Sequence, residues 1–186
     1  MIIMLPVSYA DEHDKPRSIL IEISPGVTYN LTKQLNLPDF QYQNYFAGIT
    51  TSVEFSSEYN IKIGIESGYL PITGIDNQQI TTHNGQSQAN AQLSTIPILL
   101  RFSMSYSDFS ISYANGAYFM ISYVDAFSQT SRSKEVVSGL KLGLQYNILN
   151  INSSKILLHS NFYYMSDIGH LVVFFGIASN FNILNL

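Results

Sequence analysis

The chain has 186 residues, 9 of them basic and 13 acidic, for a formal net charge of −4. Charged residues are 12%, against about 25% in soluble domains, and the mild acidic balance leaves no basic footprint for nucleic acid. Cysteine is absent, which excludes a disulfide framework and a thiolate metal site, and no run approaches the roughly 18 consecutive apolar residues of a membrane helix.

The first ten residues, Met1 to Ala10, form an apolar run ending in small-x-small at Ser8 and Ala10, and a charged stretch, Asp11 to Arg17, follows. This pattern predicts the back half of a secretory signal cleaved after Ala10. Residues 11–186 are then expected to form one domain.

From there the chain alternates with a period of two, which marks β-strands because successive side chains leave opposite faces. The first strand is predicted over 18–30, with Ile19, Ile21, Ile23 and Val27 on one parity and Glu22 and Gly26 on the other. The second, 44–57, opposes Ala47, Ile49, Val53 and Phe55 to Gly48 and Glu54. The third, 60–70, opposes Ile61, Ile63 and Ile65 to Lys62, Gly64, Glu66 and Gly68. The fourth, 91–104, sets Ile96, Ile98, Leu100 and Phe102 against Arg101. The fifth spans 107–123 and the sixth 134–149, the latter opposing Leu140, Leu142 and Leu144 to Gly139, Lys141 and Gly143. The seventh, 153–166, and eighth, 168–184, complete the set, with Val173, Phe175 and Ile177 opposite Gly176.

The connections alternate in length. Glu58-Tyr59, Ser105–Asp108 and Asn150–Ser153 are predicted as tight turns, and Ser166–Gly169 as a short one. Leu31–Asn44 and the polar stretch Pro71–Asn90 are predicted as long loops, and Asp125–Ser133 as a medium one. The third connection carries Asp76, Asn77, Gln78, Gln79 and His83, a candidate binding surface.

Both strand charges and strand glycines share one parity, and the opposite face is apolar and free of charge. A soluble exterior would carry more Lys and Glu, and glycine suits a crowded interior better than an exposed strand. The polar face therefore points inward and the apolar face to lipid. The expected fold is all-β, an eight-stranded antiparallel up-and-down transmembrane barrel with both termini on the short-turn side. Tyr29, Tyr45, Tyr69, Tyr123, Tyr146 and Tyr164 lie near strand ends on the lipid parity, where an aromatic belt sits.

Inside such a barrel, Glu22, Glu54, Lys62, Glu66, Arg101 and Lys141 are expected to form a lumenal charge cluster. A tight turn at Glu58-Tyr59 sets Glu54 against Lys62 as an ion pair, with Arg101 at a similar depth. Eight strands leave an interior that side chains fill, so inward Leu20, Phe46, Leu99, Tyr118, Met120, Tyr163 and Phe174 predict an obstructed bore rather than a channel.

The stretch Leu93 to Phe102, with Ile96-Pro97-Ile98-Leu99-Leu100-Arg101-Phe102, followed by Phe109 to Tyr123, resembles the small outer-membrane β-barrels (porin-like, OmpX-like) of Gram-negative bacteria. The terminal Leu186 departs from their usual aromatic ending. The resemblance implies an outer-membrane location, contact with lipid and lipopolysaccharide, and insertion by the barrel-assembly machinery.

Candidate chemistry is sparse. His159-Ser160 invites comparison with lipid A deacylases, whose His and Ser are two apart and share a strand face. Here they are adjacent, so they leave opposite faces, and Asn161 stands at the matching offset without a nucleophilic oxygen. His83 and His170 have no second ligand at a co-directing spacing, so no metal site is expected, and no cofactor motif appears. The expectation is a non-enzymatic monomer with a structural or surface-interaction role through its long loops toward an extracellular ligand. Two alternatives stand beside it: a soluble periplasmic lipocalin-like barrel that binds an apolar ligand, and an outer-membrane lipid-modifying enzyme.

Overall fold

A computed structural model describes residues 17–32, 41–57, 60–82, 85–127, 129–151, 154–166 and 169–185. The expected signal remnant at Met1–Ala10, the turn residues Glu58 and Tyr59, and His83 lie outside the described residues. Eight strands follow in order: β1 (Ser18–Asn30), β2 (Tyr45–Ser56), β3 (Ile61–Thr82), β4 (Gly85–Tyr106), β5 (Phe109–Ala126), β6 (Gln129–Ile151), β7 (Ser154–Met165) and β8 (His170–Asn185). Each pairs antiparallel with its sequence neighbours, and β1 pairs with β8, so the sheet closes into a barrel. Closure leaves no strand edge inside the ring.

The two ends differ. The terminal end holds the start of β1, the end of β8 and three short turns. At the β4–β5 turn Tyr106 faces Phe109, and Ser107 takes φ 52° while Asp108 does not go positive. A positive φ at the first central residue only is the type II′ pattern, whose twist matches that of a hairpin. The distal end holds the other four connections.

Two predicted loops are corrected. Pro71–Asn90 is not a loop: β3 and β4 run on as paired strands to Thr82 and Gly85. Asp125–Ser133 is not a loop either, because β5 reaches Ala126 and β6 starts at Gln129. Here the ring opens. β2 pairs with β3 only up to Tyr69 in the ladder, and β6 pairs with β7 only from Gly139 on. Above that level β3, β4, β5 and β6 continue as a four-stranded sheet beyond the barrel. Its lower part still contributes buried residues, among them Ile72 and Val137, but farther out Asp76, Asn77 and Gln79 are exposed and Gln129–Val136 are exposed without alternation. Alternation needs one buried face, so these strands are silent in the hydrophobic pattern.

The face assignment holds through the ring. On β2 the burial pattern over Ile49–Glu54 alternates strictly, with Thr50, Ser52 and Glu54 buried and Ile49, Thr51 and Val53 exposed. The outward apolar face is solvent-accessible in the isolated chain: Ile65 is 61% exposed, Leu144 55% and Phe175 55%. Along β5, Ile111 to Ile121 is roughly 33 Å of strand at about 3.3 Å per residue, or about 25 Å of height after a tilt of ~40°, the depth of an outer-membrane apolar band. Tyr29, Tyr45, Tyr69 and Tyr164 ring the distal edge of that band, and Tyr106, Phe109 and Tyr146 the terminal edge, with the Phe109 and Tyr146 rings 4.8 Å apart. The outward parity is not free of charge throughout: Arg132 and Lys134 share it. They pair in register with Tyr123 and Ile121, at the distal edge of the band.

Inside, large side chains fill the middle of the bore. Leu70, Ile72, Leu99, Tyr118, Tyr163, Met165, Val172 and Phe174 are at most 1% exposed and form one core cluster with Met120 and Val137. Leu20 and Phe46 are only half-buried, toward the two ends. Glycines make the room. Gly26 pairs with both Gly48 and Gly176 across three strands, and a Cβ on Gly26 would lie 2.9 Å from Cζ of Phe174.

Candidate functional site

The lumenal cluster is built from inward positions of six strands. Arg101 of β4 is its centre. Its Nη1 is 2.9 Å from Oε1 of Glu22 and 3.3 Å from Oε2 of Glu66, and its Nε is 2.8 Å from Oε1 of Glu54. The guanidinium is a planar fork of fixed donors, which lets one side chain bridge carboxylates from β1, β2 and β3. Lys141 of β6 pairs with Glu66 and stands 5.7 Å from the ring centroid of Tyr163. Arg101, Lys141, Glu54 and Glu66 are each 1% exposed.

Neutral groups complete it. Gln145 Nε2 donates to both oxygens of Glu22, at 3.0 and 2.9 Å. The Tyr163 hydroxyl donates to Glu66 Oε1 at 2.8 Å, and Ser103 Oγ donates to Glu54 Oε1 at 2.9 Å. Arg101 donates to Ser52 and Ser103 at 3.1 Å each. Sequence reasoning missed Gln145, Tyr163, Ser52 and Ser103 as members. Their only signal was inward parity, which they share with many residues that take no part.

Five of the six predicted charges meet here: Glu22, Glu54, Glu66, Arg101 and Lys141. The sixth is corrected. Lys62 does not face Glu54; it pairs in register with Ser56 and Ser103, while Glu54 faces Gly64. The cause is the turn. Ser57 N–H donates to Ile61 O at 2.9 Å and Asn60 takes φ 59°. A residue in the left-handed region at the end of a three-residue loop shifts the register from that of a two-residue turn. Gly64 then stands beside Glu54, and a Cβ there would lie 2.9 Å from Glu54 Cγ. Glu54 turns to Arg101 instead. Lys62 lines a polar cavity of about 510 Å³ at the terminal end, together with Lys155, Asn147, Asn150 and Asn180.

His159 is 2% exposed inside the bore, with Nδ1 2.9 Å from Asn161 Nδ2 and its ring 5.2 Å from that of Phe174. Ser160 pairs in register with outward Leu144 and Phe175, so the two side chains leave opposite faces. Among the described residues no group of three or more His, Asp or Glu could hold a metal ion.

The candidate loop surface sits on the projecting sheet. Asp76, Asn77, Gln78 and Gln79 belong to β3, at a register shift between Ile75 and Gln78 where Asn77 takes φ 48°. Gln43 bridges to Gly74, and Gln41 N–H donates to Gln78 Oε1 at 3.0 Å. A cleft of about 410 Å³ opens there, bounded by Gln43 and Phe46 before and on β2, Gly74–Asn77, Asn90–Gln92 and Tyr123.

The molecule is a closed ring of eight antiparallel strands with an apolar exterior of bilayer depth and an interior of buried polar and large apolar side chains. Solved structures share the closed ring of eight antiparallel strands. Ail, the attachment invasion locus protein of Yersinia pestis, matches with a TM-score of 0.53 at 10% identity, over 92% of this chain and 100% of that one. In fold, the chain is similar to small outer-membrane β-barrels. Ail in complex with the heparin analogue sucrose octasulfate matches with a TM-score of 0.50 at 12% identity, over the same shares of the two chains. The N-terminal β-barrel domain of Pseudomonas aeruginosa OprF matches with a TM-score of 0.50 at 9% identity, over 90% of this chain and 100% of that domain. No protein-family model and no curated relative matches the sequence. Identities this low show the barrel's fold and leave its ligands open.

Proposed function

We propose that this barrel is a closed, non-enzymatic outer-membrane protein of a Gram-negative bacterium that works as a monomer through the sheet projecting from its distal end. The observation that carries the reading is the contrast between bore and sheet. The bore is filled by the Arg101 cluster and the core around Tyr118, Tyr163 and Phe174, while β3 to β6 extend well past the ring. A filled bore offers no path to solutes and no apolar cavity for a lipocalin-type ligand. Short turns inside and long extensions outside is the outer-membrane rule, which puts the terminal end in the periplasm and the sheet on the cell surface. The barrel-assembly machinery would insert it. Lipid contacts the apolar band, and Arg132 and Lys134 at its outer edge suit the phosphates of lipopolysaccharide.

Two measurements test this. Intact cells carrying Ser87→Cys should react with a membrane-impermeant maleimide, and cells carrying Ser107→Cys should react only after the outer membrane is permeabilised. The reverse pattern overturns the orientation. Purified protein in planar bilayers should give no steady conductance; a stable ohmic step overturns the closed bore.

A further inference from the structure

The cleft at the base of the projecting sheet has a chemistry of its own. Four amide residues line it, Gln43, Asn77, Asn90 and Gln92, with one carboxylate residue, Asp76, and two aromatics, Phe46 and Tyr123. No Lys or Arg is among its described lining residues. We propose that this cleft binds a neutral saccharide on the cell surface, an inference that rests on the outward orientation of the distal end.

Three features support it. The first is that the cleft is built by the backbone. Two register shifts interrupt β3, between Pro71 and Thr73 and between Ile75 and Gln78, and bulges of this kind re-aim side chains next to sites. Gly74 lies between them; a Cβ there would stand 3.0 Å from Ala91 O and 3.1 Å from Cζ of Phe46, a tight fit that the missing side chain relieves where that ring borders the cleft.

The second is that the polar groups are held but not used up. Asn77 N–H donates to Asn90 Oδ1 at 2.7 Å, and Asn77 Nδ2 donates to Asp76 Oδ1 at 2.9 Å. Gln43 Nε2 donates to Tyr45 O at 3.3 Å. These bonds orient the side chains and leave Asp76 Oδ2, Asn77 Oδ1, Asn90 Nδ2 and Gln43 Oε1 for a ligand. Planar amides and a carboxylate offer paired acceptors and donors at the spacing of neighbouring hydroxyls.

The third is the aromatic walls. An aromatic face covers the C–H face of a sugar ring while the polar groups take its hydroxyls. Arg132 lies 5.4 Å from the centroid of the Tyr123 ring and fixes it. The volume, about 410 Å³, falls within the roughly 300–1,000 Å³ of small-molecule sites. The balance of charge points to a neutral sugar: Asp76 is the charged residue among the described lining, and the one base beside it, Arg132, lies against the Tyr123 ring and outside the described lining.

The test uses the full-length barrel folded in lipid nanodiscs. Saturation-transfer NMR and calorimetry are run with lactose, N-acetyllactosamine and chitobiose as neutral probes and sucrose octasulfate as a polyanion. At least one neutral probe should bind, and Asn90→Ala and Tyr123→Ala should each weaken it at least tenfold, while Gln129→Ala, on the sheet but outside the cleft, leaves it unchanged. An unchanged unfolding midpoint shows that the variants are folded. Binding of none of the neutral probes, binding that both cleft variants leave intact, or a preference for sucrose octasulfate that Asp76→Asn does not alter would overturn the proposal. The maleimide result separates the two readings: a sugar bound in nanodiscs by a distal end that faces the periplasm removes the orientation and keeps the cleft, and no sugar with the distal end outside does the opposite.

Discussion

At the scale of single residues, Arg101 holds the bore together. It is buried, it faces three carboxylates, and Lys141 is the other base bonded within the group. Deleting one partner of a buried ion pair leaves the others uncompensated and costs about 3–5 kcal/mol. Arg101→Met should therefore lower the unfolding free energy in urea by about that much, and Arg101→Lys should recover only part, because an ammonium cannot fork to carboxylates on three strands. A loss below about 1 kcal/mol for Arg101→Met, the range of exposed pairs, would mean that water and the remaining side chains absorb the charge. The members of the group were legible from inward parity and sign. Their partners were not: Glu54 and Lys62 are eight positions apart and look like cross-strand neighbours, but three-dimensional register gave Glu54 to Arg101.

At the scale of elements, turns and hairpins set what the alternation leaves open. Asn60 at φ 59° fixes the β2–β3 register. Asparagine tolerates the left-handed region and a β-branched residue does not. Asn60→Val should destabilise the barrel by about 1–2 kcal/mol, and Asn60→Gly should be near neutral, as read from unfolding midpoints. Equal effects of the two would place the strain elsewhere. The projecting hairpins follow a different rule. Their pairing is local and their faces are wet, so replacing Gln79–Gln88 by a two-residue Asn-Gly turn should leave the folded, heat-modifiable form of the barrel intact. Loss of that form would show that the extension takes part in folding the ring. The sequence conceals these strands because Asp76–Gln79 and Gln129–Ser133 carry no apolar face for the period to reveal.

At the scale of the whole molecule, the barrel is turned inside out relative to a soluble one. Leu142 is 51% exposed on the outer face between Tyr113 and Phe162. Leu142→Arg, between the midplane and the terminal edge of the band, should destabilise the inserted barrel by about 1–3 kcal/mol, and Lys134→Leu at the band edge should change it by only about 0–1 kcal/mol. Folding titrations into lipid vesicles measure both. Similar costs at the two positions would remove the depth gradient on which the membrane reading rests.

The sequence by itself determined the number of strands, their order, which face of each is polar, and part of the set that crowds the bore (Leu99, Tyr118, Met120, Tyr163 and Phe174), because parity is a one-dimensional property that survives any register. The tertiary structure alone decided who meets whom. Closure of β1 on β8 brings Glu22 to Arg101 and Gln145, residues far apart in the chain whose approach depends on strand tilt and stagger. The register shifts in β3 shape the distal cleft, and a bulge leaves no mark in the sequence because it changes the pairing of a strand rather than its composition.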